Sequence, residues 1–143
     1  MIVKALKGDP ARTWCLVFET GDEVVGTLEA FARERKVESA HFQGIGAFRT
    51  AVLAYFDPER KAYLDNPVEE QVECVSFIGN VTRGPDGGPA VHAHVAIGRR
   101  DGHAVAGHLV SGIVRPTLEV FLTETGEALG RQPHEATALD LIR

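Results

Sequence analysis

The chain has only two cysteines, no surplus of basic residues and no long hydrophobic run. Each shortage narrows what the protein can be. Cys15 and Cys74 both sit inside alternating apolar stretches. They read as reduced core residues, with a disulfide or a catalytic thiol as the alternatives. No apolar stretch approaches the ~20 residues that span a bilayer, so no membrane role is expected. The opening segment, residues 1–7, breaks its apolar character too early for a secretory signal, and a cytoplasmic setting is expected. The formal charge is −5. That balance argues against direct duplex-DNA binding, because phosphate contacts need clustered Lys and Arg. The densest basic runs, Arg33–Lys36 and Arg99–Arg100, fall on an expected helix and an expected turn, where they read as solvated surface. Repeats, low-complexity tracts and linkers are missing too, so residues 1–143 are expected to form one domain. A domain of this size buries roughly 70% of its unfolded surface.

What is present is mostly strand. Residues 12–19 read as a largely buried strand. Gly21-Asp22 opens a helix over about residues 23–36, with Asp22 placed to cap its free N–H groups. Val24, Val25, Leu28, Phe31 and Ala32 form one apolar stripe at helical spacing, which is core packing. Residues 39–56 read as two strands around Gly44-Ile45-Gly46, and 57–70, with two prolines, as a polar connection. Further strands are expected over 71–81, 90–98, 104–110 and 117–123, and the tail ends in a short apolar run at 138–142. Arg83–Pro89 is a loop by its Gly and Pro content. One early helix packed on many short strands is an α+β pattern with a largely antiparallel sheet.

The strongest chemical signal lies in two of these strands. In Val91–Ile97 the odd positions are apolar and the even ones place His92 and His94 on the opposite face. Two strand rises put them about 6.6 Å apart, close enough to converge on one ion. In the return strand, Val105 and Leu109 must face the core with Val95 and Ile97, because a one-residue slip exposes the whole apolar set. A turn centred on Asp101 satisfies this, setting His94 opposite His108 and Ile97 opposite Val105. A register one residue away turns His108 to the wrong face. Apolar patterning therefore selects the hairpin that brings all three histidines together, beside Ala96, Ala104 and Ala106. Three neutral imidazoles suit a divalent metal, Zn²⁺ first, with Cu²⁺ and Ni²⁺ as alternatives. Affinity is expected to fall as pH drops through the ordinary histidine value of about 6.5. The competing reading is three surface or interface histidines that bind no metal. His41, His103 and His134 lack any such context.

A hydrolytic metal site often keeps a general base nearby. Glu73 and Glu119 sit inside strands and are the catalytic candidates, provided they share the histidine face; otherwise they are solvent-facing carboxylates. Gly44 and Gly46 either let backbone approach a ligand or permit a bulge.

Taken in order, Gly44-Ile45-Gly46-Ala47, Val72–Asn80, Asp86-Gly87, His92-Ala93-His94-Val95, Gly107-His108-Leu109 and Thr117–Val120 resemble the plants-and-prokaryotes-conserved (PPC) domain. The resemblance spans about residues 10–125. It implies an α+β fold, a homotrimer, and metal ligation by His92, His94 and His108. The family's DNA-binding label comes from plant members, whose AT-hooks carry an Arg-Gly-Arg-Pro core that this chain does not contain. The plant partner-contact stretch, Gly-Arg-Phe-Glu-Ile-Leu, aligns with Glu70–Val75, where only the glutamate and the apolar character survive. Three functional readings stand at this point. The first is a homotrimeric zinc-binding domain with room for a small-molecule ligand. The others are a metal-assisted hydrolase or lyase, and a DNA-associated or protein-interaction module.

Overall fold

Alternating apolar residues commit most of this chain to strands. In the computed structural model, which describes residues 1–6 and 12–143, β1 (Ile2–Leu6) and β2 (Thr13–Glu19) precede helix α1 (Val24–Arg35). Then come β3 (Ala40–Asp57), β4 (Ala62–Val68), β5 (Val72–Arg83), β6 (Pro89–Gly98), β7 (Ala104–Glu124), β8 (Arg131–His134) and β9 (Leu139–Ile142). The main sheet runs β1-β2-β7-β6-β5-β3-β4, and β3 also pairs with β7. That extra pairing closes β7, β6, β5 and β3 into a ring. The ladders between named strands are all antiparallel. The result is a mostly antiparallel sheet with one helix among the described residues, as the α+β pattern implies. No helix of the described residues is long and apolar enough to cross a membrane.

One apolar cluster fills the inside, joining Phe18 of β2, Leu28 of α1, Phe48 of β3, Phe77 of β5, Ile97 of β6 and Leu118 of β7. All six are fully buried, and each contributes about 1.5–3 kcal/mol by leaving water. The helix presents Val24, Leu28, Phe31 and Ala32 to this cluster, and Phe31 meets Trp14 edge-on at 5.3 Å.

The helix cap differs from the expectation. Glu23, not Asp22, caps α1, accepting from the Val25 and Gly26 amides at 3.1 and 2.7 Å. Glu23 also accepts from the Gly112 amide at 3.3 Å, which ties the helix start to β7. Asp22 accepts from the Glu19 amide instead.

Three strand boundaries also differ. Residues 40–57 form one strand, not two, with its register shifting at Gly44/Gly46 against β5. A β-carbon at Gly46 would collide with the Thr117 carbonyl oxygen, and one at Gly44 would lie 2.7 Å from that of Glu119. The glycines thus let β3 bend against β7 at close range without breaking. Likewise 104–124 is a single strand, because bulges opposite it in β3 let it curve from β6 across to β3 and β2. The expected connection at 57–70 contains an edge strand, β4, after a turn in which Asp57 accepts from the Glu59 and Arg60 amides. Six of its seven residues are exposed and one is Pro67, so neither alternation nor propensity marks it.

Candidate metal centre

The register required by the apolar pattern is the one observed. His94 lies opposite His108, and Ile97 opposite Val105. Ala93, Val95 and Ile97 are buried while His92 and His94 project from the outer face. The three imidazoles stand with ring centroids 5.2–5.5 Å apart. One nitrogen from each lies within 4.8 Å of the others. Tyr63 of β4 stacks on His108 at 4.6 Å and braces its ring.

The electrostatics hold His92 and His108 in the neutral form. Burial, then the positive charge of Arg131, pushes the His92 pKa down from 6.5 to about 4, with His108 and His94 adding smaller repulsions. Burial chiefly lowers His108 too, followed by His94 and Arg131. Neutral imidazole is the form that ligates. The Nδ1 atom of His108 is buried and has no hydrogen-bond partner. A buried nitrogen left in that state is costly unless something occupies it. The donor set fits a borderline-soft divalent ion such as Zn²⁺. It does not fit Mg²⁺ or Ca²⁺, which require oxygen ligands.

Neither candidate carboxylate joins the cluster. Glu73 is exposed and pairs with Gly98, four positions along β6 from His94, or about 13 Å at strand rise. Glu119 is exposed opposite Ile45, eleven positions along β7 from His108. Gly44 and Gly46 belong to the β3 bend, which also borders shallow hollows beside Ile45. His103 pairs with Asp101 at 3.1 Å, and His134 with the Thr137 hydroxyl at 3.0 Å. Both cysteines are free, Cys15 half-buried and Cys74 buried. Burial pushes the Cys74 thiol up to about 12, which rules it out as a nucleophile at neutral pH.

Two residues beside the histidines escape a reading of the sequence. Tyr63 lies in the polar stretch that hides β4, and Arg131 opens the β8–β9 hairpin. The Arg131 guanidinium donates from Nε to Thr82 Oγ1 at 3.0 Å, from Nη1 to the Asp140 carbonyl at 2.9 Å and from Nη2 to Asn80 Oδ1 at 2.8 Å. Together with His92, His108 and Tyr63 it borders a cavity of about 390 Å³. Only the alternation of Leu139, Asp140 and Leu141 signals that hairpin in the sequence, and nothing singles out the arginine.

A closed antiparallel sheet with three convergent histidines on its outer face defines a small β-rich protein equipped to hold a metal ion. The chain belongs to the Plants and Prokaryotes Conserved (PCC) domain family, whose model matches residues 5–126. A metal-containing protein of Archaeoglobus fulgidus is 35% identical, with 100% of this chain and 99% of that one covered and a TM-score of 0.86. A plant- and prokaryote-conserved protein of Pyrococcus horikoshii is 34% identical, covering 99% and 94%, with a TM-score of 0.87. A protein of Bacteroides thetaiotaomicron, named as a candidate DNA-binding protein, is 28% identical, covering 99% and 96%, with a TM-score of 0.89. No curated protein matches the chain.

Proposed function

We propose that this is a homotrimeric PCC-domain protein that binds one divalent metal ion per chain, zinc, through His92, His94 and His108, close to a subunit boundary. The observation that carries the metal reading is the unpartnered, buried Nδ1 of His108 in a cluster of three convergent imidazoles. The Archaeoglobus relative's description as metal-containing agrees with it. The trimer draws support from the outer sheet face. Ile45, Val75, Ile78 and Phe121 are 46–62% exposed there. Ile78 pairs directly with His94, so this apolar surface runs up to the histidines. An apolar patch of that kind, continued by Ala96 and Ala106, is a poor surface to leave in water.

His92, His94 and His108 would hold the ion, which supplies a Lewis-acid centre when bound. Tyr63 fixes the plane of His108, and Arg131 opposes protonation of His92 and His108. Neither Glu73 nor Glu119 reaches the histidines, so the two carboxylates that would serve a hydrolase as general base are out of place, and metal and ligand binding is the reading the site favours. A DNA-associated role is disfavoured by the charge of −5. The test is elemental analysis and zinc titration of the purified protein, with light scattering for the assembly. About one zinc per chain and a trimer mass are expected. A metal-free protein that takes up no zinc, or a monomer at micromolar concentration, would overturn the corresponding half.

A further inference from the structure

We propose that the cavity beside the histidines binds a small organic carboxylate, its carboxylate gripped by Arg131 and its apolar body lying against Ala138 and Leu139. The inference rests on the metal reading only for the ligand's other end, which would face His92 and His108.

Arg131 is the odd group in this cavity. A guanidinium has five N–H donors in a planar fork. Three are held by Thr82, Asn80 and the Asp140 carbonyl, all neutral acceptors. Those bonds orient the fork rigidly and leave two donors over. Among the described residues Arg131 makes no ion pair, although the Asp140 carboxylate and Tyr63 favour its charge from farther off. Burial works against the charge, yet arginine stays protonated in proteins. A half-buried cation with no counter-ion in direct contact is costly, and the histidines beside it cannot neutralise it. The missing partner is an anion.

The surroundings say which anion. A single planar fork matches a carboxylate, which it can meet with two parallel hydrogen bonds. No second Lys or Arg borders the cavity, so a phosphate's higher charge would be poorly matched. The remaining wall is largely aliphatic, from Val91, Ala138, Leu139 and Leu141, with Asp140, whose carbonyl already holds Arg131, as the one acidic residue on it. A volume of about 390 Å³ lies in the range of small-molecule sites. An organic acid with a short apolar body fits both walls, and an inorganic oxyanion fits only one.

The test uses 2-oxobutanoate and its neutral amide, 2-oxobutanamide, in calorimetric titrations of the full chain, zinc-loaded and metal-free. Arg131→Gln removes the charge but also loosens the β8–β9 hairpin, so the decisive variants are at Ala138. Its φ is 56°, a conformation that Asp and Asn adopt more readily than Ala, so both replacements should fold. Ala138→Asp adds a carboxylate to the wall of the cavity that Arg131 borders and leaves the three acceptors of Arg131 in place, and Ala138→Asn is the neutral control. The acid should bind at least about tenfold more tightly than the amide, the worth of one charge-assisted contact. Ala138→Asp should remove that preference and Ala138→Asn should keep it. The preference should persist, weaker, in metal-free protein, since Arg131 needs no metal to be charged. Equal binding of acid and amide, no binding of either, or an Ala138→Asp protein with the preference intact would overturn the proposal. Elemental analysis of the same samples separates the two readings. A protein that takes no zinc but prefers the acid loses only the metal site; one that takes zinc and ignores the charge loses only the Arg131 site.

Discussion

Gly79→Ala should damage the fold and the histidine site together. Gly79 lies on β5 opposite Ala93, between the residues that pair with His92 and His94. A β-carbon there would collide with the carbonyl oxygen of His92 and lie 2.5 Å from Cζ of Phe42 and 3.0 Å from Cα of Ala93. The Phe42 ring cannot easily retreat, because it is buried and packed on Phe77 at 4.9 Å. The His92 carbonyl is backbone and moves only if β6 moves. Overpacking of this kind costs about 1–3 kcal/mol, and two immovable neighbours place this case at about 2–3. At about 2–4 °C per kcal/mol for a chain near this length, the melting temperature should fall by roughly 4–12 °C. The displaced β6 carries His92 and His94, so zinc affinity should weaken as well. Gly98→Ala is the control, since its β-carbon would sit 3.5 Å from Val75 Cγ2, an ordinary contact. Thermal unfolding followed by circular dichroism, run beside zinc titrations, reads both effects. A Gly79→Ala protein melting within about 2 °C of the parent would refute the reasoning, because the overpacking cost it rests on would be missing.

Four further outcomes are expected. His94→Ala should lose most of its bound zinc and His134→Ala should keep it, read by elemental analysis. Ala106→Leu, which crowds the histidine face, should also impair zinc uptake in the same assay. Metal-free protein should lose stability as pH falls from 6.5 towards 4, because the unfolded chain takes a proton on His92 that the folded chain refuses until about pH 4. The full shift corresponds to about 3 kcal/mol, and solvent screening of a half-buried ring reduces this to about 1–2; urea titrations at both ends of that window should show a shallower pH slope in His92→Asn than in the parent. Glu124→Ala should cost about 1–3 kcal/mol, since Glu124 accepts from Trp14 Nε1 at 2.8 Å and pairs with Arg12 at 2.6 Å; denaturation followed by the fluorescence of the single tryptophan reports it.

The histidine hairpin could be read from residues because its apolar partners permit only one register. Val95, Ile97, Val105 and Leu109 leave His108 no other face, and the observed pairing of His94 with His108 follows. The helix stripe was readable for the same reason, as Leu28 and Phe31 have one core to enter. What resisted reading lacked that constraint. β4 is exposed along six of seven positions, so its pairing with β3 comes from backbone hydrogen bonds that any sequence supplies. The continuity of β3 and β7 depends on bulges, where tertiary pairing overrides the punctuation that Gly44 and Gly46 suggest in β3. The cap moved from Asp22 to Glu23 because Gly112 of a distant strand recruits the longer side chain. Arg131 is invisible for a further reason. Its meaning lies in acceptors on β5, Thr82 and Asn80, some fifty positions earlier in the chain.

That separation bears on how the site is organised. The three histidines fall inside the residues that the family model matches, 5–126, whereas Arg131 falls after them. The histidines are held by the closed sheet itself, so their convergence is inseparable from the fold. Arg131 is delivered by a two-stranded hairpin that forms its own small sheet, β8-β9. Its side chain is stitched to β5 by the bonds to Thr82 and Asn80. The histidine part of the site is therefore built into the closed sheet of this chain, and the charged part rests on a separately anchored element. If ligand choice varies among proteins that share this sheet, the hairpin is where the difference can be made, since changes there leave the apolar core and the histidine register untouched.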